Sequence, residues 1–518
     1  MTQELTRPVD PVTDVLARIG RKGIRLWTAN AQLHYRAAKG SLTDEEIETL
    51  RLHKDQIISM LERVANVALA EPNVVSSPHP AKTVLSFSQE AHWRRYKLHS
   101  HYASRTIASA TRIAGRVNLD LFRDSIATVV RRHPGLRTRI VICDGTPMQQ
   151  ISELIDFKLE VQDLTALLPT VCELEMKHLI ERLILEPIKV SEGPLWEARL
   201  LRIRNEEHVL IIVMEHIISD MRSMQILLRD IFSTYAQLVR DGRAYLPPIP
   251  IQFTEYADWQ RRVCDSNYGR SSYWSTRLSG CTRVRFPRDY DSLRGAHLGW
   301  DCMRIRISSQ QRANLSTWTR LRKTTPSMAV FTAYVALVSR WCNVSDIVIS
   351  YTIDGRTSDR IQDAIGYFAK LLPVRVEIYR TDSFVTLLNR VTTEYCKAYE
   401  QADFCYLEAQ VPAPDFLSNS IFNWIAQENS GSAAENVAEE AIRHSPIPFD
   451  HPAPETIEVD IEPSMQLFDS GREVSGGIYF PKNRFSFARR QKFASNFKIF
   501  MEALLERADA PVYDVALL

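Results

Sequence analysis

The stretch Val209–Leu228, VLIIVMEHIISDMRSMQILL, changes character twice. Residues Val209 to Met214 are continuously apolar, the pattern of a strand covered on both faces. The run then breaks at Glu215, His216, Ser219 and Asp220 and resumes with helical character. Ligands in open α/β sheets gather where strands end, which makes this break a candidate site. His216 suits a base or hydrogen-bonding partner there, because an imidazole is poised between neutral and charged near physiological pH. Asp220, four residues on, suits a helix cap through backbone N–H groups. Taken alone, His-x-x-x-Asp fits an ordinary structural histidine as readily as a catalytic one.

Composition bounds the wider reading. The chain has 518 residues, with 64 Lys and Arg against 62 Asp and Glu and a formal net charge of +2. That balance recruits neither nucleic acid nor an anionic membrane. The length exceeds one average domain. Eight scattered cysteines form no Cys-x-x-Cys pair and read as reduced thiols without a zinc site. The start, MTQELTRPVD, lacks the order of a signal peptide, and no run approaches the roughly 18 apolar residues of a membrane span. The expectation is a cytoplasmic protein with no metal.

The chain divides near residue 70. VTDVLARIG has apolar residues at helical spacing and runs to Gly20, with Gly23 soon after. Ile24, Leu26, Leu33 and Tyr35 then mark two alternating segments around Ala29 and Asn30, a predicted β-hairpin. A second helix is predicted from Thr43 and Glu46, at capping-box spacing, with Ile47, Leu50, Ile57 and Leu61 on one face. The Pro- and Ser-rich AEPNVVSSPHPAKTV reads as a linker. An exposed hairpin edge accepts an extended peptide as an added strand, and Arg21, Lys22, Arg25 and Arg36 favour an acidic one. Trp27 either lines that groove or packs the module.

The segments RKGIRLWTANAQLHYRAAKGSLT and HKDQI resemble the β-hairpin docking domains that begin some nonribosomal peptide synthetase and hybrid polyketide subunits. The resemblance implies that Arg25, Trp27 and Arg36 receive the acidic C-terminal tail of an upstream carrier protein.

From Leu85 onward, strand-like runs (HVLIIVMEH, DIVISYTI, LPVRVEIY) alternate with amphipathic helices (DLFRDSIATVVRRH, SMQILLRDIFSTYAQLV, SMAVFTAYVALVSRW, and the closing RRQKFASNFKIFMEALLERA). This interleaving argues an α/β organisation, and the number of elements suggests two similar lobes. No G-x-G-x-x-G, P-loop, metal-binding helix or G-x-S-x-G elbow appears. The polar stretch Gln427 to Glu439, leading into HSPIPFDHPAPE, reads as a solvated loop or inter-lobe crossing.

Glu215–Met221 resembles the HHxxxDG signature of nonribosomal peptide synthetase condensation domains. LSFSQEAHW from Leu85, RRHPGLRTRI from Arg131, FTEYADWQ from Phe253, YWSTRLSG from Tyr273 and AIGYFAKLLPVRV from Ala364 follow that family's order, with a weaker match at YEQADFCYLE. The resemblance implies two chloramphenicol-acetyltransferase-like lobes in a V with a central tunnel. Residues 1–69 would form the docking domain, 70–84 a linker, 85–265 the first lobe and 266–518 the second. It implies an acyltransferase that joins an acyl thioester, carried on a partner's phosphopantetheine, to an amine or hydroxyl with no cofactor of its own. His216 would act on the acceptor, and Asp220 would be chiefly structural, paired with an arginine. Arg132, Arg137 and Arg356 are the candidates, with Arg137 favoured.

Two residues depart from the signature: Glu215 replaces its first histidine and Met221 its glycine. Met221 removes backbone permissiveness and places a side chain toward the acceptor. Glu215 is either a harmless replacement or one that alters the electrostatics around His216. Glu215, Asp220 and Ser223 also give E-x-x-x-x-D-x-x-S, close to the heterocyclization pattern, but His216 favours condensation. A degenerate recruitment scaffold is the non-enzymatic alternative. With neither an adenylation nor a carrier domain evident, the expected enzyme works in trans, on a second carrier's substrate or on a free small amine or alcohol, giving chain release.

Overall fold

Alternation in Arg25–Arg36 produces a hairpin: β1 (Arg25–Ala29) and β2 (Gln32–Arg36) pair antiparallel, with Arg25 opposite Arg36 and Trp27 opposite His34. The computed structural model describes residues 25–29, 32–36, 48, 50–52, 54, 57, 82–98, 106–154, 157–265, 272–281, 284–290, 299–402, 420–426, 442–447 and 462–518. The chain separates into two compact units, residues 1–77 with 313–331, and residues 78–312 with 332–518. In the first unit, residues 48, 50–52, 54 and 57 are helical, with Leu50 and Ile57 buried as the apolar face requires. The first predicted helix, the Thr43 and Glu46 capping pair and residues 70–81 of the predicted linker lie outside the described residues, while the linker's last three residues, Lys82–Val84, are a strand and not linker.

The N-terminal half of the second unit runs β3 (Lys82–Val84), α1 (Phe87–Leu98), β4 (Thr106–Ala114), α2 (Leu119–Arg132), β5 (Thr138–Cys143), β6 (Thr146–Ile151), β7 (Leu159–Asp163), α3 (Pro169–Leu185), β8 (Trp196–Arg204), β9 (Glu207–Glu215), α4 (Met221–Asp241) and α5 (Phe253–Asp265). After it in chain order come α6 (Ser272–Arg277), β10 (Trp300–Ile307), α7 (Ser309–Leu321) and α8 (Pro326–Cys342), whose residues 313–331 belong to the first unit, then β11 (Asp346–Ile353), β12 (Lys370–Glu377), α9 (Phe384–Tyr399), β13 (Ile421–Ala426), β14 (Arg443–Pro446), β15 (Ser464–Asp469), β16 (Val474–Pro481) and α10 (Phe487–Glu506).

Among the described residues the first half is built on a five-stranded sheet of order β14-β4-β9-β8-β7. Its central strand β9 is buried from His208 to Glu215 and runs antiparallel to both neighbours. Its continuous apolarity therefore comes from cover on both faces and needs no parallel pairing. Leu210, Ile212 and Met214 pack with Phe122 and Val129 of α2 and Leu227 of α4. The alternate residues Val209, Ile211 and Val213 pack with Met176, Leu179 and Leu183 of α3. At about 25 cal/mol per Å² of apolar surface, such two-sided burial makes β9 the best-anchored backbone near the site.

The second half carries a six-stranded sheet of order β10-β16-β15-β13-β11-β12, with β13 parallel to β11 and β15 and the other pairs antiparallel. Phe286, Phe480, Phe485, Phe493 and Trp341 form an aromatic core beside it. The polar stretch Gln427 to Glu439 lies outside the described residues, and the start of HSPIPFDHPAPE after it belongs to a strand. β14 pairs antiparallel with β4, Arg443 opposite Ala114 and Pro446 opposite Thr111, and the His444 ring stacks on Phe232 at 4.0 Å. A segment far along the chain thus completes the first half's sheet and covers an edge. Among the described residues no helix is long and apolar enough to cross a membrane.

Candidate active site

β9 delivers its last residue, Glu215, into a 3-10 turn, His216–Ile218, before α4 begins. Ser219 holds this turn: its hydroxyl donates to the Glu215 carbonyl at 2.9 Å and its N–H to the His216 carbonyl at 3.2 Å. The Ser219 carbonyl in turn lies 2.7 Å from His216 Nδ1. A carbonyl only accepts, so Nδ1 carries a proton, and in the neutral form of the ring the lone pair is on Nε2. His216 is half-buried. Its ring centroid lies 4.3 Å from that of Tyr367, which follows Gly366.

The second grip on the turn comes from α1. Ser86 and Gln89 form a reciprocal cap at its start, with Ser86 N–H donating to Gln89 Oε1 at 2.9 Å and Gln89 N–H to Ser86 Oγ at 3.2 Å. Gln89 Nε2 then donates to the Ile217 carbonyl at 2.9 Å and to Gln149 Oε1 at 3.0 Å. One turn further along α1, His92 Nε2 lies 3.0 Å from Glu215 Oε1, with both side chains buried.

Asp220 caps α4, accepting from Ser223 N–H at 2.7 Å. It also accepts from Phe368 and Ala369 N–H at 3.0 and 3.1 Å, and from Arg356 Nη1 and Nη2 at 3.0 and 3.1 Å. Burial opposes charge on this carboxyl, but the Arg356 guanidinium and the Ser223 hydroxyl override it and hold the group below its usual range. Arg356 also donates to Ser223 Oγ and the Ala364 carbonyl, both at 3.0 Å, and lies 4.3 Å over the Phe368 ring. The partner of Asp220 is thus Arg356. The favoured Arg137 instead donates to the carbonyls of Val130, at 3.2 Å, and Ser152. Arg132 donates to Asp230 and the Pro247 carbonyl. The three arginines occupy different places because the sheet brings the loop after β11, and not the end of α2, to the start of α4.

The basic motif RRHPGLRTRI has a structural use. Asp230 of α4 accepts from Arg132, from Arg229 Nη2 at 2.8 Å and from the His133 ring at 2.9 Å. Burial holds His133 neutral, pulling its pKa below 6.5. Burial raises the pKa of Asp230 but His133 and Arg229 more than offset this, placing it below 3.8. Both shifts act with one sign. Below pH 6.5 the unfolded chain binds a proton at His133 that the folded chain refuses, and below 3.8 the same becomes true of Asp230 and Asp220. Stability is therefore fully present above about pH 7 and falls in two stages on acidification. Melting temperature against pH checks this: His133→Gln should flatten the upper stage and leave the lower one, and an unchanged upper stage would count against His133.

The two departures from the signature also find their places. Met221 is the first residue of α4 and half-buried. It is not among the residues with positive φ, so replacing glycine imposes no backbone strain and the change is one of occupied space. Glu215 is fully buried against His92 instead of facing the solvent. Ser223 is buried as well, 2.7 Å from Asp220 and 2.8 Å from the Gly366 carbonyl. A Cβ on Gly366 would lie 2.1 Å from the Phe253 ring, which explains the glycine of AIGYF and its distant partner FTEY together. Sequence reasoning did not single out Gln89, His92 or Tyr367. The signal for the first two was polar side chains at i and i+3 on a helix inside the LSFSQEAHW motif.

The profile of the condensation-domain family matches residues 81–518. The chain belongs to the condensation-domain family. A second profile, the TubC N-terminal docking domain, matches residues 12–63. This condensation domain is 31% identical over 325 residues to phosphinothricin tripeptide synthetase PhsC of Streptomyces viridochromogenes, covering 62% of this chain and 30% of that protein. It is 26% identical over 304 residues to bacitracin synthase 3 of Bacillus licheniformis, covering 58% of this chain and 5% of that one. The chain thus spans well under half the length of these relatives. The crystal structure of SgcC5 from Streptomyces globisporus superposes with a TM-score of 0.69 at 25% identity, covering 83% of this chain and 100% of that one. The mixed sheets and helices are the chloramphenicol-acetyltransferase-like fold of condensation domains. The family's acyltransferases form amide or ester bonds from substrates on carrier-bound phosphopantetheine.

Proposed function

We propose that this condensation domain works in trans, taking an acyl chain from the phosphopantetheine thioester of an upstream carrier protein and passing it to an amine or hydroxyl. The observation that carries the reading is the His216–Ser219 contact of 2.7 Å, which sets the tautomer. Nε2 accepts the proton of the acceptor as its N or O attacks the thioester carbonyl. The tetrahedral intermediate collapses, the C–S bond breaks, and the proton leaves with the thiol. A thioester is already activated, so alignment supplies more of the rate than proton removal. Asp220 and Arg356 hold the turn and take no part in bond making. The burial of Ser223 and Asp220 in that network favours condensation over heterocyclization.

The donor's acidic C-terminal tail is read as adding a strand to the β1–β2 hairpin, attracted by Arg25 and Arg36, which face each other in the register, with Trp27 two residues along β1. The acceptor is read as a free small molecule, giving chain release. Two observations support this: Met221 occupies space where the signature has glycine, and the SgcC5 structure is a complex with a small diol. Incubating an acyl-loaded carrier with free amines and alcohols, followed by intact mass, should show loss of the acyl group and gain of an amide or ester. Product formed solely with a carrier-bound acceptor would reject chain release. Arg25→Glu with Arg36→Glu should raise KM for the tailed carrier and leave kcat unchanged.

A further inference from the structure

Glu215 ends the most deeply buried strand of the first half, and its side chain has no exposure at all. A carboxylate in that position is costly unless a donor reaches it. One donor within reach is His92, 2% exposed, whose Nε2 lies 3.0 Å from Oε1 across 123 residues of sequence. His92 does not stand alone in α1: Gln89, one turn before it, binds the Ile217 carbonyl. One face of α1 therefore grips the β9–α4 turn on both sides of His216. The rings record the same arrangement. His92 lies 6.2 Å from His216 at 55° and 6.2 Å from Tyr367 at 90°, while His216 and Tyr367 are 4.3 Å apart.

We propose that His92 and Glu215 act as one positioning pair, standing in for the signature's first histidine and holding the ring of His216 against Tyr367. Glutamate at 215 offers only acceptors, and the imidazole at 92 supplies the matching N–H. The pair touches no reacting atom. It fixes the backbone from which His216 projects, where misplacement by about 1 Å costs roughly 10²-fold in rate. Its effect on turnover rests on the condensation reading above; its effect on folding does not.

A mutant cycle in the full chain tests both parts. His92→Leu and Glu215→Leu should each lower the melting temperature, because each removes the buried hydrogen bond between the two side chains. The double variant should lose clearly less than the sum of the two single losses, since both single variants remove the same contact. In the double variant kcat should stay roughly 10²-fold low with KM for the loaded carrier unchanged, the signature of lost alignment. Glu215→Gln, which keeps an acceptor for His92, should stay within a few fold of wild type. Melting losses that simply add would overturn the pair. A double variant with wild-type kcat would overturn the positioning role. Wild-type protein that makes no product would end the condensation reading and the positioning role with it, while the melting cycle would still decide the pair.

Discussion

His216→Ala is expected to lower turnover of loaded carrier by about 10²–10⁴-fold, the range for loss of a positioned general base, while leaving carrier binding intact. The ring is held by its own turn through Ser219, and His216 is not part of the apolar clusters that pack the two faces of β9. Its removal should therefore cost little stability. Intact-mass turnover and a carrier titration, run on the same preparation, separate chemistry from recruitment. Unaltered turnover would move proton transfer or alignment to another group and refute the assignment. Wild-type protein that binds loaded carrier without turnover would instead point to a recruitment scaffold.

The largest effect on stability is expected at Arg356. Its side chain is fully enclosed and forms a two-point contact with a buried carboxylate, so Arg356→Ala leaves Asp220 charged and unmatched. Breaking such a pair from one side costs about 3–5 kcal/mol. Arg356→Lys should recover only part of this, because an ammonium cannot span both oxygens and Ser223 together. Asp220→Asn should fall between, since it keeps a cap for α4 but loses the charge. Arg137→Ala is the control. Its donors go to two carbonyls near the surface, and it should cost about 1 kcal/mol. Denaturant unfolding measures all four, and equal losses at Arg137 and Arg356 would contradict the assignment.

These two predictions divide what was legible in the chain from what was not. Strands and helices could be read because periodicity records local burial. Val209–Met214 is apolar at every position since α3 covers one face and α2 with α4 the other. The cap at Asp220 could be read because its partner, Ser223, lies three residues away. The hairpin could be read because its strands are adjacent in sequence and alternate. The strand at Arg443–Pro446 could not. It is short, polar and an edge, and it gains its place only by pairing with β4.

The same limit governs the site. The sequence by itself determined that a strand should stop at Glu215 and that a histidine and an aspartate should sit on the turn; the resemblance to condensation domains added that an arginine should match the aspartate. Tertiary structure alone decided which arginine, and that Glu215 lies against His92. Asp220 and Arg356 are 136 residues apart, and His92 and Glu215 are 123 apart. Helix and strand patterns repeat within a few residues because backbone hydrogen bonding and side-chain direction are local. A buried charge needs a partner of opposite sign wherever the fold brings one, and no short pattern in the chain records that address.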